Sequence, residues 1–191
     1  ILWKVNYLNL FTPIRYYQLR KFLNMDFIIK KLTLSDKHSL LDFVNKQSEE
    51  DLKFFRRWNK LNQSREKIVH TDCTISFLNG ERIIAKTQSD QIIGFGLVDF
   101  FEEFEKKHIS VVGTIVDKKF RGLGLGKKLL ENEIQISKKR KINKIRSTIH
   151  ENNINSVKLH QSLGFHIEGT FVNEEFHKKF QNVLSLALFI D

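Results

Sequence analysis

The heptapeptide RGLGLGK, Arg121 to Lys127, has glycines at alternate positions between an apolar run, ISVVGTIV, and a helix-patterned run, LGKKLLENEIQISKKRK. Glycines spaced this way let backbone N–H groups converge on one concavity with no Cβ in the way. A helix starting there adds its own unsatisfied N–H groups and the positive end of its dipole. That chemistry suits an anion, above all a phosphate or pyrophosphate. Two better-known glycine signatures do not fit. A G-x-G-x-x-G fingerprint counted from Gly122 requires glycine where Lys127 stands, and counted from Gly124 where Leu129 stands. A G-x-x-x-x-G-K-[ST] loop requires Ser or Thr where Lys128 follows Gly126 and Lys127.

A second group lies downstream. In NNINSVKLHQSLGF, the residues Asn153, Ser156 or Val157, and His160 fall along one helical face. With the glycine loop, these residues make the stretch from His108 to Phe165 resemble the cofactor core of the GNAT superfamily of N-acetyltransferases. That family carries Arg/Gln-x-x-Gly-x-Gly/Ala after its fourth strand, met by Arg121, Gly124 and Gly126. It also carries Asn-x-x-Ala-x-x-Leu-Tyr-x-x-x-Gly-Phe, met by Asn153, Ser156, Leu159, His160, Gly164 and Phe165. The resemblance runs from about Met25 to the C-terminus and is weak before residue 80.

The resemblance implies acetyl-CoA as acetyl donor, with no metal. The backbone amides of Gly122, Leu123, Gly124, Leu125, Gly126 and Lys127 are expected to hold the pyrophosphate, with Arg121 and Lys127 adding charge beside it. Thr114, Ile115 and Val116 are expected to pair their backbone with the pantetheine arm, and Asn153 to contact the cofactor. The implied reaction is direct attack of a primary amine on the thioester in a ternary complex. An amine with a pKa near 10.4 arrives protonated, so a base or a water chain is needed. Backbone N–H donors meet the oxyanion, and an acid can protonate the departing thiolate.

The family's Tyr at the acid position is His160 here. It is the acid candidate, and the alternatives are a neutral base or a residue that only packs against the pantetheine. The Glu that some protein-acetylating members use as base corresponds to Thr148, which cannot do that work. The base candidates are therefore His150 and Glu151, with His108, Asp99 and Glu102 at other strand ends expected to border the cleft.

These residues need a scaffold, and the chain alternates strand and helix patterns. DFIIKKL, ERIIAKT, QIIGFGLVDFF, HISVVGTIV, IRSTIH, HIEGTF and VLSLALFI are predicted strands. LSDKHSLLDFVNKQ, EEDLKFFRRWNK, the run after the glycine loop and NINSVKLHQSLGF are predicted helices. Ser35 is the expected cap of the first. The expected fold is α/β (α+β): a GNAT-like mixed central sheet of about six or seven strands flanked by helices, splayed between the fourth and fifth. The acceptor amine, on a protein N-terminus or lysine, a polyamine or an amino sugar, is expected between LLDFVNKQSEEDLKFFRRW and the loop GTFVNEEFHKKFQNV. Phe54, Phe55 and Trp58 wall that site or belong to the core, the core being favoured. The acidic trio Glu49, Glu50 and Asp51 is read chiefly as a match to a helix dipole.

Residues 1–24 contain no Asp or Glu and hold the single Pro, Pro13. They are expected to be an N-terminal extension, with the domain at 25–191. The 191 residues carry a net charge of +10 and one cysteine, Cys73, which excludes an intrachain disulfide or a Cys-based zinc site. A cytoplasmic setting is expected, with no membrane partner and with a homodimer left open. The charge keeps a nucleic-acid-binding alternative in view through KKRKINKIR. Glu131, Glu133 and Glu151 flank that stretch, and no stacking aromatics interleave with it. A non-catalytic acetyl-CoA-binding module is the other alternative.

Overall fold

The computed structural model describes residues 27–55, 58, 64–75, 79–177 and 179–190. The expected boundary between an extension and the domain, at residues 24 and 25, lies outside them. The elements run β1 (Phe27–Lys31), α1 (Lys37–Lys46), α2 (Glu49–Phe54), α3 (Arg65–Thr74), β2 (Gly80–Thr87), β3 (Ile92–Phe100), β4 (Ile109–Val116), α4 (Leu125–Lys139), β5 (Lys144–His150), α5 (Ile154–Ser162), β6 (His166–His177) and β7 (Lys179–Phe189). The strands form one seven-stranded sheet in the order β1-β2-β3-β4-β5-β7-β6. Neighbours are antiparallel except β4 and β5, which are parallel.

The parallel pair opens. Its pairing stops after Ile109↔Lys144, Ser110↔Ile145 and Val111↔Arg146. Beyond that point β4 stays paired with β3 as far as Val116, and β5 with β7 as far as His150. The remaining halves, 112–116 and 147–150, therefore face each other across a wedge, which is the expected splay.

Helices cover both faces of the sheet. On one, Leu40, Phe43 and Val44 of α1 meet Ile68 and Val69 of α3 over Ile84, Phe95, Leu97 and Ile115. On the other, α4 buries Leu125, Leu129, Leu130 and Ile134 at helical spacing. They pack against Ile83, Ala85 and Ile93 at one end and Val112, Ile145 and Leu186 at the other. Each fully buried leucine contributes about 1.5–3 kcal/mol, so α4 holds its register firmly beneath the wedge.

Two local expectations are corrected, and one helix is added. Thr33 caps a single turn at Leu34–Asp36, its N–H donating to Asp36 Oδ2 at 3.1 Å, and Asp36 is the N-cap of α1, so Ser35 caps neither. Asp36 is buried and held by Lys30 and Lys86 at 2.9 and 2.7 Å. The run REKIVHTDCT, outside every element predicted from the sequence, is α3. Its buried face includes Asp72, which accepts from Trp58 Nε1 at 2.9 Å and Arg82 Nε at 3.0 Å, so no apolar stripe announces it. The expected loop GTFVNEEFHKKFQNV forms most of a long β6–β7 hairpin, because its register with β7 resumes at Glu175↔Gln181 after an irregularity.

Candidate active site

The wedge is bordered on one side by the free edge of β4. Along it, Ile115 is buried in the core under α1 and α3, while Thr114 and Val116 are half-buried toward α4. Thr114 Oγ1 donates to Glu133 Oε1 at 2.7 Å. Glu133 is fully buried, and its Oε2 has no hydrogen-bond partner among the described residues. Burial therefore drives its carboxyl well above the usual range, despite the Thr114 bond. Thr114 to Val116 thus keep a backbone edge open to the wedge while their side chains are anchored elsewhere.

The glycine loop closes the end of β4. Asp117 Oδ1 accepts from Lys119 N at 2.8 Å and starts a single turn at Lys118–Phe120. Gly122 and Gly124 then adopt φ of 75° and 87°, a left-handed conformation that side chains disfavour. Gly124 is the N-cap of α4, and no side chain caps that end. The N–H groups of Leu125, Gly126 and Lys127 are the first of the helix, so they have no intrahelical acceptor. A pyrophosphate fits that need. Leu125 is wholly buried, so only its backbone can serve, whereas Lys127 is exposed. A Cβ on Gly126 would lie 3.4 Å from Leu159 Cδ2 and 3.7 Å from Val116 Cγ2. It would fill the gap between the end of β4 and α5.

Arg121 sits beside this loop but turns away from it. Its Nε donates to the Val116 carbonyl at 2.9 Å and its Nη1 to Asp51 Oδ1 at 2.7 Å. Burial alone would raise the Asp51 carboxyl, but Arg121 and Ser48 together hold it below its ordinary value. Helix α2 therefore docks at the mouth of the wedge. From it, Phe55 comes 3.5 Å from where a Gly113 Cβ would stand, and Phe54 packs edge-on against His150 with centroids 5.5 Å apart. Phe55 and Trp58 belong to the core, as favoured.

The other side of the wedge is β5 and α5. His150, at the end of β5, is 2% exposed, and its Nε2 lies 3.0 Å from Glu175 Oε2 on β6. Glu151 is exposed and turned to β7, where its Oε2 accepts from Asn182 Nδ2 at 3.0 Å. Asn153 caps α5 by accepting from Ser156 N at 3.3 Å. His160 is 3% exposed and packs edge-on to Phe165 at 5.0 Å. Its Nδ1 lies 2.8 Å from the Ser156 carbonyl. A carbonyl only accepts, so Nδ1 carries the proton and Nε2 presents a lone pair. That Nε2 is buried with no partner among the described residues. Burial lowers the ring's pKa against the pull of Ser156, leaving it neutral near pH 7.

The structure thus brings Thr114–Val116, the glycine loop, His150 and Asn153 to the open end of the wedge, whereas His160 is buried on α5 against Phe165. It sends Asp99, Glu102 and His108 to the closed end. Asp99 lies opposite Val111 and is paired with Arg82 at 2.6 Å, and the His108 carbonyl receives Asn143 and Lys144 where β5 begins. Glu175 and the Arg121–Asp51 pair carry no signal in the sequence, and Glu133 is evident there only as a charge flanking KKRKINKIR. Glu175 lay within a quoted stretch, but its role depends on the hairpin's register.

Comparison with known proteins agrees with this geometry. Residues 43–165 match the model of the acetyltransferase (GNAT) family. Over 83 residues the chain is 31% identical to a spermine/spermidine N(1)-acetyltransferase of Bacillus subtilis (strain 168), covering 41% of this chain and 55% of that protein. The chain thus spans about half the length of the curated relatives it matches. Among solved structures, a Salmonella typhimurium protein with its cofactor acetyl-CoA superposes with a TM-score of 0.72 at 16% identity, covering 87% of this chain and 95% of that one. A ribosomal-protein-alanine N-acetyltransferase from Brucella melitensis gives 0.70 at 22%, covering 85% and 99%. These likenesses are of fold.

Proposed function

The chain belongs to the acetyltransferase (GNAT) family, and from that premise we propose that it transfers an acetyl group from acetyl-CoA to a primary amine by direct attack in a ternary complex. The observation that carries this reading is the wedge between β4 and β5, with the uncapped N-terminus of α4 at its mouth. The N–H groups from Gly122 to Lys127 hold the pyrophosphate. The free edge of Thr114, Ile115 and Val116 holds the pantetheine and polarises the thioester carbonyl, and Asn153 lies alongside. Lys127 adds charge directly, and Arg121 does so once drawn from Asp51.

The amine nitrogen attacks the carbonyl carbon, and the carbon–sulfur bond breaks as the oxyanion collapses. His150 is the base that takes the amine's proton, with Glu151 the alternative carboxylate at the same strand end. His160 is neutral at rest, so the second proton released from the amine nitrogen must reach its Nε2 before it can pass to the thiolate. The acceptor enters between α2 and the β6–β7 hairpin, across Phe54. Polyamines are the first acceptors to try, on the strength of the spermine/spermidine enzymes among the relatives. The setting is cytoplasmic in this reading.

The test is release of CoA thiol from acetyl-CoA with spermine, spermidine, a Lys-containing peptide, a free peptide N-terminus and an amino sugar. Turnover with at least one amine, abolished by omitting it, supports the reading. Tight acetyl-CoA binding with no turnover across the panel would leave a binding module.

A further inference from the structure

The basic run KKRKINKIR spans the turn from α4 into β5, and its six Lys and Arg residues have no Asp or Glu among them. Of the acids that flank it in sequence, Glu133 is buried beneath the sheet and Glu151 is turned to Asn182, so neither screens it. The aromatic rings missing from the run arrive from other segments. Arg140 lies over Phe100 at 4.6 Å and Arg146 over Phe101 at 5.9 Å, where β3 ends. Lys144 lies over Phe189 at 5.3 Å, where β7 ends, and His166 stacks on Phe189 with centroids 5.4 Å apart and planes 16° apart. The register places these groups together. Lys144 pairs with Phe189, Arg146 with Ala187, and Ala187 with His166. Directly paired residues share a sheet face, as do residues two apart on one strand. Lys144, Arg146, Phe189 and His166 therefore form one platform at the closed end of the wedge, on the face opposite the one where Ile145 and Leu186 pack beneath α4. Phe189 is 57% exposed, and His166 is exposed beside it.

We propose that this platform is a docking surface for a single-stranded nucleic acid, with phosphates on the exposed Lys138, Lys139 and Lys141 and bases on Phe189, His166 and the Arg146 guanidinium. A basic surface that carries exposed aromatic rings complements both parts of such a chain, the phosphates by charge and the bases by stacking. Unpaired bases stack on rings and guanidinium planes, whereas a duplex keeps its base faces inside and meets the lysines alone. The acids nearby are accounted for. Glu168 accepts from Lys144 Nζ at 2.5 Å, and Glu103 lies 3.9 Å from Lys106 in the β3–β4 connection, which also carries Glu102, Glu105 and Lys107. The net positive charge therefore comes from the turn between α4 and β5. No step of the proposed acetyl transfer uses these residues, so the two readings stand or fall separately.

The test is fluorescence anisotropy of a labelled oligouridylate of roughly 12 nucleotides with the full chain, over a range of salt. Binding is expected to weaken with salt, and the log–log slope to shrink by about 0.7 for each lysine removed in the double variant Lys139→Gln, Lys141→Gln. Phe189→Leu keeps the charge and loses the ring, so it should weaken binding about fivefold or more at an unchanged slope. Unfolding midpoints within about 2 °C of wild type show that these surface variants are intact. No binding at about 100 μM protein, equal binding of a duplex of the same length, or wild-type affinity in Phe189→Leu overturns the proposal. So does an equal loss in the double variant Lys118→Gln, Lys119→Gln beside the glycine loop, or release of the oligonucleotide by saturating acetyl-CoA, since either result moves the nucleic acid to the cofactor cleft. Cosedimentation with phosphatidylserine vesicles in place of oligonucleotide binding assigns the surface to a membrane and overturns it as well.

Discussion

Arg121 Nη1 stands 2.7 Å from Asp51 Oδ1 while Arg121 Nε donates to the Val116 carbonyl, so one guanidinium links the glycine loop, the end of β4 and the helix over the cleft. The Arg121 side chain is 42% exposed, so the ion pair itself stabilises by about 1 kcal/mol or less. Arg121→Gln is therefore expected to lower the unfolding midpoint by no more than about 2–4 °C. The same variant should weaken acetyl-CoA binding several-fold, because it removes charge beside the pyrophosphate cradle. Calorimetric titration with acetyl-CoA checks this, and an unchanged Kd would confine Arg121 to a structural role.

Glu133 and His160 make opposite predictions for stability against pH. Burial raises the Glu133 carboxyl above its ordinary 4.5, so folding favours its protonated form. Its contribution is fully present below about pH 4.5 and is lost as pH rises toward the raised folded value. Glu133→Gln should therefore gain stability over wild type at pH 8, and the gain should shrink toward pH 4.5. Thermal unfolding of both proteins across that range checks it.

For His160 the folded pKa is depressed below 6.5 by burial. Its contribution is present above pH 6.5 and is lost as pH falls. Wild type should lose stability between pH 7 and 5 more steeply than His160→Phe, which has no ring proton to take up. Parallel slopes would contradict the buried, neutral histidine.

Two glycines separate the fold from the cleft. A Cβ at Gly96 would collide with Glu133 Oε1 and stand 2.9 Å from Ile83 Cγ1, too close for either. Gly96→Ala is expected to cost about 1–3 kcal/mol in stability. At Gly126 the nearest contacts, at 3.4 and 3.7 Å, are close to ordinary van der Waals distances. Gly126→Ala should leave the unliganded unfolding midpoint nearly unchanged and yet weaken acetyl-CoA binding, since the methyl narrows the gap between Val116 and Leu159. Comparing the two midpoints with one binding titration checks both.

The strand, glycine loop and helix of the proposed donor site were legible in the sequence because they are local. The glycines, the helix they start and the Asn153-to-Phe165 segment lie in one stretch, and that stretch folds as strand, loop and helix in chain order. Periodicity also revealed α1 and α4, whose buried residues are apolar and helically spaced. It failed at α3, where Asp72 sits on the buried face and is neutralised by Arg82 from β2. The opposite side of the wedge is built from distant pairings, Arg121 with Asp51 and His150 with Glu175. The second depends on where β6 resumes its register after an irregularity, which no local pattern encodes. Asp99, Glu102 and His108 were drawn toward the cleft on sequence grounds for the complementary reason. Strand ends are easy to recognise, but which end of a sheet they occupy follows from strand direction.

The wedge and the glycine loop together are the proposed acetyl-CoA site. The most direct measurement is thermal unfolding of the wild type and Gly124→Glu with acetyl-CoA, beside ATP as a polyanion control in moderate salt. At about 100 times its Kd, acetyl-CoA should add roughly 2.7 kcal/mol to the wild type. ATP should add little, and Gly124→Glu should lose the acetyl-CoA effect. Equal stabilisation by ATP, or stabilisation that survives in Gly124→Glu, would contradict the assignment of the glycine loop as the cofactor cradle.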